Sequence, residues 1–292
     1  RLVLICPGRG SYTKETLGYL KQFHQNTNFQ NFLKIQDSLR KQDSMPTISE
    51  LDSAEKFSPN LHSKGEHAST LIYSCSMGDF LSIDQNKFEV VAITGNSMGW
   101  YIACALGGVL NSENSYRVIN TMGSMMKDEI VGGQIIYPMI DGSWKKDEEK
   151  TKKIFSVVER LNSKPGIEVY VSIYLGGYLV LGANKEGCRE LLKELPKEDP
   201  YPFQLLNHAA FHTPLLKEIS QKAFEVLPQS LFEVPNVPLI DGRGKIWSPF
   251  TTDVHEIYQY TLGHQVDKPY DFTTCITKAL KEFNPDHLVL LG

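Results

Sequence analysis

Apolar residues run without interruption through Leu2–Cys6 and again through Val90 to Ile93, and both runs break into glycine-containing sequence. Short continuous runs bounded by glycine predict fully buried strands of a parallel sheet. Between them apolar positions recur at helical spacing, first at Leu17, Leu20 and Phe23, then at Phe29, Phe32, Leu33, Ile35 and Leu39. Residues 44–64 are polar, carry Pro46 and Pro59, and read as loop and short helix. Leu71, Ile72, Cys75, Phe80 and Leu81 place a helix over 66–83, and a further helix is expected over 116–127. Strand, helices, strand, helix is the order of a parallel sheet with crossover helices.

Beyond Gly132-Gly133 the elements shorten. The pattern predicts a strand over 134–140, a charged helix over 147–161 and strands over 167–173 and 178–181 around Gly176-Gly177. A helix over 185–195 and a short strand over 203–206 follow. This order is the ferredoxin-like pattern. The expected fold is therefore α/β. A large domain (1–129 and 207–292) has a parallel-sheet, hydrolase-like core with a nucleophile elbow, and a small ferredoxin-like α/β subdomain (130–206) is inserted in it. The large domain resumes with a helix over 214–227, a strand over 237–240, the loop Asp241-Gly242-Arg243-Gly244, two further helices and a last strand at His287.

The elbow is Gly95-Asn96-Ser97-Met98-Gly99, with a buried strand before it and helical spacing after it. That context is the one a Gly-x-Ser-x-Gly nucleophile requires. The two glycines let strand and helix approach closely, and the helix start directs backbone N–H groups at negative charge developing on the serine. An ordinary glycine-rich turn carrying a surface serine is the plainer alternative. Pro7-Gly8-Arg9-Gly10-Ser11 after the first strand lacks both dinucleotide and P-loop spacing, so it reads as a backbone donor loop beside Ser97.

A serine nucleophile needs a base. Of the eight histidines, His24, His62, His67 and His255 fall in stretches that read as exposed. His208 and His212 flank a short apolar turn ahead of Thr213-Pro214, and both remain candidates on this ground.

Net charge of −4 leaves no basic footprint for nucleic acid, and no apolar run is long enough to span a bilayer. Five scattered cysteines without metal spacing imply buried thiols in a reducing, cytoplasmic setting. Arg1 at the start and a strand ending at Gly292 suggest a trimmed chain.

Taken in order, Pro7-Gly8-x-Gly10-Ser11, Gly95-x-Ser97-x-Gly99, Ala210-Phe211-His212-Thr213-Pro214 and Pro235-x-Val237-Pro238 resemble the malonyl-CoA:acyl-carrier-protein transacylase family. That family includes the acyltransferase domains of fatty-acid and polyketide synthases, and the resemblance spans essentially the whole chain. It implies an enzyme, a serine acyltransferase of the S-malonyltransferase type, with Ser97 as nucleophile and His212 as general base and acid. It also implies an oxyanion hole from the backbone N–H groups of Arg9 and Met98. The carbonyl orienting the histidine falls on Gln265, four residues before Pro269. Acyl-CoA would be a substrate and phosphopantetheine would arrive on an acyl carrier protein. No tightly bound cofactor or metal, nucleic acid or membrane is implied. The chain would act as a monomer or as part of a larger synthase.

Three departures bear on the substrate. Asn96 stands where the family usually has His, and Trp100 where it has Glu or Gln. Arg9 replaces the common Gln between the loop glycines. Malonyl-specific members carry an Arg 25 residues past the nucleophile, which here is Met122. Arg9 and Arg243 are the candidate replacement cations. If neither serves, the acyl group is uncharged. A hydrolase acting on acyl carrier proteins and an inactive docking homologue are the competing readings.

Overall fold

The computed structural model describes residues 1–127 and 130–292. Among them, β1 (Leu2–Cys6), β2 (Val90–Gly95), β3 (Gly133–Pro138), β4 (Val169–Leu175) and β5 (Tyr178–Ala183) are the longer strands. β6 (Phe203–Gln204), β7 (Leu239–Ile240), β8 (Ile246–Trp247), β9 (Tyr270–Asp271) and β10 (His287–Leu290) are short. They form two five-stranded sheets, one in each of two units. The first unit comprises Arg1–Lys127, Val226–Tyr258 and Thr274–Gly292. The second comprises Asp128–Glu225 and Gln259–Thr273.

The first sheet has the order β10-β1-β2-β7-β8, parallel throughout except for the β7–β8 hairpin. β1 is wholly buried and β2 is buried after its first residue, as their unbroken apolar runs require. β10 is at the sheet edge, which leaves Leu288 and Leu290 exposed. The helix expected over 66–83 is Gly65–Leu81. That expected over 116–127 is Ser112–Ser124, starting earlier because the Asn111 side chain accepts from the Asn114 N–H and caps it there.

The polar stretch 44–64 is loop and short helix as expected, with helices Ile48–Asp52 and Pro59–His62, but His62 within it and His67 just beyond it are buried rather than exposed. Arg40, also buried, is the organiser. It donates to the Pro46 carbonyl (2.5 Å), to the Glu66 carbonyl and Thr70 hydroxyl (each 2.9 Å) and to His67 Nδ1 (2.7 Å). Burial, aided by the Arg40 charge, pushes His67 down to about 4, so it stays neutral and accepts. The His62 ring stacks with Phe57 at 5.0 Å, and its Nε2 meets the Leu51 carbonyl at 3.0 Å. A buried cation needs acceptors, and the Pro46 and Glu66 carbonyls, the Thr70 hydroxyl and the His67 ring supply them.

The second sheet has the order β6-β3-β5-β4-β9. Its first four members are antiparallel neighbours in the fourth-first-third-second order of a ferredoxin-like unit. The helices Glu148–Asn162 and Lys185–Glu194 lay Ile154, Val157, Leu161 and Leu191 on Ile135, Tyr137, Leu179 and Leu181 to make its core.

The unit does not stop at 206 as expected from the sequence. Residues through Glu225 and the separate segment Gln259–Thr273 belong to it. β9 supplies one reason: it adds to β4 in parallel, with Ile173 opposite Tyr270. The expected boundary between 129 and 130 falls at residues 128–129, outside the described residues.

Candidate active site

Ser97 ends the turn between β2 and the helix Gly99–Leu106 with φ 55°. Backbone in that region is disfavoured for any residue with a Cβ, and it persists only where the surroundings impose it. Here they do. A Cβ on Gly95 would lie 2.3 Å from the Gly99 backbone, and one on Gly99 would lie 2.3 Å from the Cys6 carbonyl oxygen. Strand, turn and helix are therefore in backbone contact, and a side chain at either glycine would push the elbow open. The Gly99 and Trp100 N–H groups donate to Asn96 and Ser97, but the Met98 N–H takes no partner among the described residues. An unspent donor next to a strained serine is what an oxyanion hole needs.

The Pro7–Gly10 loop lies against this turn: Asn96 N–H donates to the Cys6 carbonyl at 3.0 Å, and a Cβ on Gly8 would meet the Asn96 oxygen at 3.0 Å. Asn96 Oδ1 is buried with no hydrogen-bond partner. Arg9 is half-buried, and burial lowers its guanidinium to about 10, against a partial rise from Tyr101 and Glu66. Met122 is buried on the helix Ser112–Ser124, whereas Arg117 on the same helix is exposed. Arg243 is held elsewhere in the first unit: its guanidinium pairs with the fully buried Asp241 at 2.6 Å. Asp241 also accepts from the Trp247 indole and the backbone N–H groups of Arg243 and Lys245, so the pair braces the β7–β8 turn.

In the second unit His212 is buried and has φ 58°. Six non-glycine residues among those described have such a φ, and Ser97 and His212 are two of them. His212 is clamped by the segment that leads into β9. Its N–H donates to the Val266 carbonyl at 3.0 Å, its Nδ1–H donates to the Gln265 carbonyl at 2.6 Å, and its ring lies 5.3 Å from that of Tyr270. A carbonyl only accepts, so the proton sits on Nδ1 and Nε2 keeps its lone pair. Burial is the main influence on the ring and lowers it to about 4, with the Gln265 bond opposing.

The Gln265 carbonyl is available for a physical reason. An α-helical carbonyl bonds the N–H four residues on, and here that residue is Pro269, which has none. The short helix Gln265–Asp267 ends at an extended Lys268, the conformation favoured before proline. The chain before it is a π-helix, Tyr260–His264, a form that recurs at functional sites.

The ferredoxin-like sheet fixes the other side of the histidine loop. Gln134 of β3 donates to the Ser172 hydroxyl of β4 at 2.6 Å, and that hydroxyl donates to the Phe211 carbonyl at 2.7 Å. His208 Nδ1 is committed to Gln134 Oε1 at 2.8 Å. Neither Gln134 nor Ser172 was singled out from the sequence, although a glutamine opening an otherwise apolar strand is a visible signal. Among the described residues, no group of three or more His, Cys, Asp or Glu could hold a metal ion, and no helix is long and apolar enough to cross a membrane.

No protein-family model and no curated protein sequence matches the chain. Solved structures do. An acyl-carrier-protein S-malonyltransferase from Burkholderia pseudomallei aligns over 100% of this chain and 89% of its own, with a TM-score of 0.81 and 17% identity. One from Vibrio cholerae aligns over 100% and 89%, with a TM-score of 0.77 and 17% identity. A malonyl-transacylase in complex with the acyl-carrier protein of a type II polyketide synthase covers 98% and 87%, at 0.77 and 18%. At these identities the likeness is one of fold, and it is the fold that the sequence motifs led us to expect.

Proposed function

We propose that this chain is a serine acyltransferase that moves an acyl group from coenzyme A to the phosphopantetheine thiol of an acyl carrier protein. The observation that carries the reading is the elbow: a serine held at φ 55° between a buried strand and a helix, beside an unspent backbone donor. The shared fold supports the same chemistry, since the neighbours are malonyltransferases and one of them is bound to an acyl-carrier protein.

In the first half-reaction, His212 Nε2 takes the Ser97 hydroxyl proton as Oγ attacks the thioester carbonyl. The new oxyanion is received by the N–H groups of Met98 and Arg9, where losing one donor costs about 2.7–4 kcal/mol of barrier lowering. As the tetrahedral centre collapses, the C–S bond breaks and the imidazolium returns its proton to the departing coenzyme A sulfur. In the second half-reaction the carrier's thiol gives its proton to His212 and attacks the Ser97 ester, which leaves with that proton on Oγ. The Gln265 carbonyl holds the ring and eases its transient positive charge. The buried free thiols fit the reducing environment of the cytoplasm.

Only the neutral imidazole is a base, so its lowered value of about 4 predicts the pH dependence. Ser97 acylation should hold steady from neutral pH to about 5 and fall as His212 protonates, where an unperturbed histidine would fail near 6.5. The linked stability runs the same way. Between about 6.5 and 4 the unfolded chain binds this proton and the folded one does not, so stability is lost as pH falls through that window. An acylation midpoint close to 6.5 would contradict the assigned base.

The function itself is tested by incubating the protein with radiolabelled malonyl-CoA or acetyl-CoA and a holo acyl carrier protein. Label is expected on the carrier in amounts exceeding the enzyme. Free acid accumulating with no labelled carrier would instead identify a hydrolase.

A further inference from the structure

His212 holds a backbone conformation that a residue with a Cβ adopts only under constraint, and the constraint comes from the sheet of its own unit. The peptide group joining Phe211 to His212 is fastened at both ends. Its carbonyl accepts from the Ser172 hydroxyl at 2.7 Å, and its N–H donates to the Val266 carbonyl at 3.0 Å. With that plane fixed and the ring tied to the Gln265 carbonyl at 2.6 Å, the rotation between the two is set at φ 58°.

Ser172 reaches the Phe211 carbonyl because β4 is irregular there. Val171 lies opposite Leu181 of β5 and Ile173 opposite Val180, so Ser172 is an extra residue with no partner across the ladder. Bulges of this kind re-aim a side chain. Gly182 of β5, opposite Gln134 of β3, makes room for the loop. A Cβ on it would lie 2.6 Å from Thr213 Cγ2 and 3.5 Å from Ser172 Cβ. Across this gap Gln134 and Ser172, both buried, meet at 2.6 Å.

The Phe211 carbonyl gives these hydrogen bonds their direction. A carbonyl only accepts, so Ser172 donates to it and its oxygen accepts from the Gln134 amide. Gln134 Oε1 is thereby turned to His208 Nδ1, which donates at 2.8 Å. A buried amide and hydroxyl are costly unless their bonds are made, and here the bonds converge on the loop that carries the base. We propose that Ser172, oriented by Gln134, is a positioning residue for His212. It holds the Phe211–His212 peptide plane, and with it the ring, in the orientation that base catalysis requires. Both residues act through His212 rather than on the reacting atoms. This deepens the acyltransferase reading and rests on it for the role of His212.

The test compares Ser172→Ala with wild type by stopped-flow acylation over a range of acyl-CoA concentrations, and by proton NMR of protein carrying ¹⁵N-labelled histidine. The His212 Nδ1–H, bonded to a carbonyl at 2.6 Å, should give a low-field resonance that is missing from His212→Ala. Ser172→Ala should lower the maximal acylation rate by roughly 10–100-fold, the scale on which a small misplacement of a catalytic group acts. The half-saturating concentration should stay the same, and the resonance should move upfield or broaden. Gln134→Met keeps the side-chain length but cannot orient the hydroxyl, so it should show the same pattern more weakly. The double variant should be no slower than Ser172→Ala, because both changes act through one carbonyl. Thermal melting establishes that each variant is folded, and Gln134→Met carries the test should Ser172→Ala not fold. A wild-type rate in Ser172→Ala, a change in half-saturation alone, or a slowed rate with an unmoved His212 resonance overturns the proposal. The resonance needs no substrate, so it decides the positioning even if the wild type forms no acyl-enzyme, a result that would remove the acyltransferase reading instead.

Discussion

Ser97→Ala will fold normally and form no acyl-enzyme from any acyl-CoA. The expected loss is complete, because covalent transfer has no partial route once the attacking oxygen is gone. The fold should tolerate the change. Serine already bears the cost of a left-handed φ of 55° with a Cβ in place, and alanine presents the same Cβ. The contacts that hold the elbow belong to Gly95, Gly99 and the Cys6 carbonyl, none of which the substitution touches. A thermal melt within a few degrees of wild type, together with no covalent mass increment, is the predicted pair of observations. Label retained by the alanine variant would move the nucleophile elsewhere.

The second large effect belongs to His212. Its replacement by alanine should slow Ser97 acylation by about 10²–10⁴-fold, the range over which a positioned general base acts. His208→Ala should be far milder in stopped-flow acylation, because His208 Nδ1 serves Gln134, which helps fix the loop. The geometry separates the two rings. His212 is the buried one and is held at a positive φ, with its Nδ1 on a backbone carbonyl, whereas His208 is only half-buried and bonds a side-chain amide. Because His212→Ala leaves the Gln265 carbonyl without its donor, some loss of stability is expected as well, on the order of 1–3 kcal/mol. Rates are therefore to be compared well below both melting temperatures. Equal rate losses in the two variants would transfer the base to His208 or to neither.

The parts of this arrangement differ in how openly the sequence displays them. The elbow is legible because everything that makes it is local: an apolar strand, two glycines within five residues and a helix directly after. β1 and β2 are legible because strands buried on both faces must be apolar throughout. β8 and β9 are not, since two residues give no alternation to read. The burial of His67 was hidden because it rests on Arg40, and that of His62 because it rests on Phe57 and the Leu51 carbonyl, contacts that no local pattern displays. The extent of the second unit was hidden similarly, because Gln259–Thr273 joins it from far along the sequence.

Gln265 is an intermediate case. The resemblance located it through the Gln-x-x-x-Pro spacing, but the physical sense of that spacing requires the helix. A proline four residues after a helical carbonyl withholds the N–H that the carbonyl would otherwise bond, and the imidazole takes its place. Pattern and cause coincide only once the backbone is known.

The most direct measurement is mass spectrometry of proteolytic peptides after brief incubation with malonyl-CoA, quenched in acid, with and without a subsequent chase by holo acyl carrier protein. The account predicts one acyl group on the peptide containing Ser97, absent from Ser97→Ala, and discharged to the carrier's phosphopantetheine during the chase. An unmodified Ser97 peptide, or an acyl-Ser97 that the carrier thiol leaves untouched while the wild-type protein is fully folded, would contradict it.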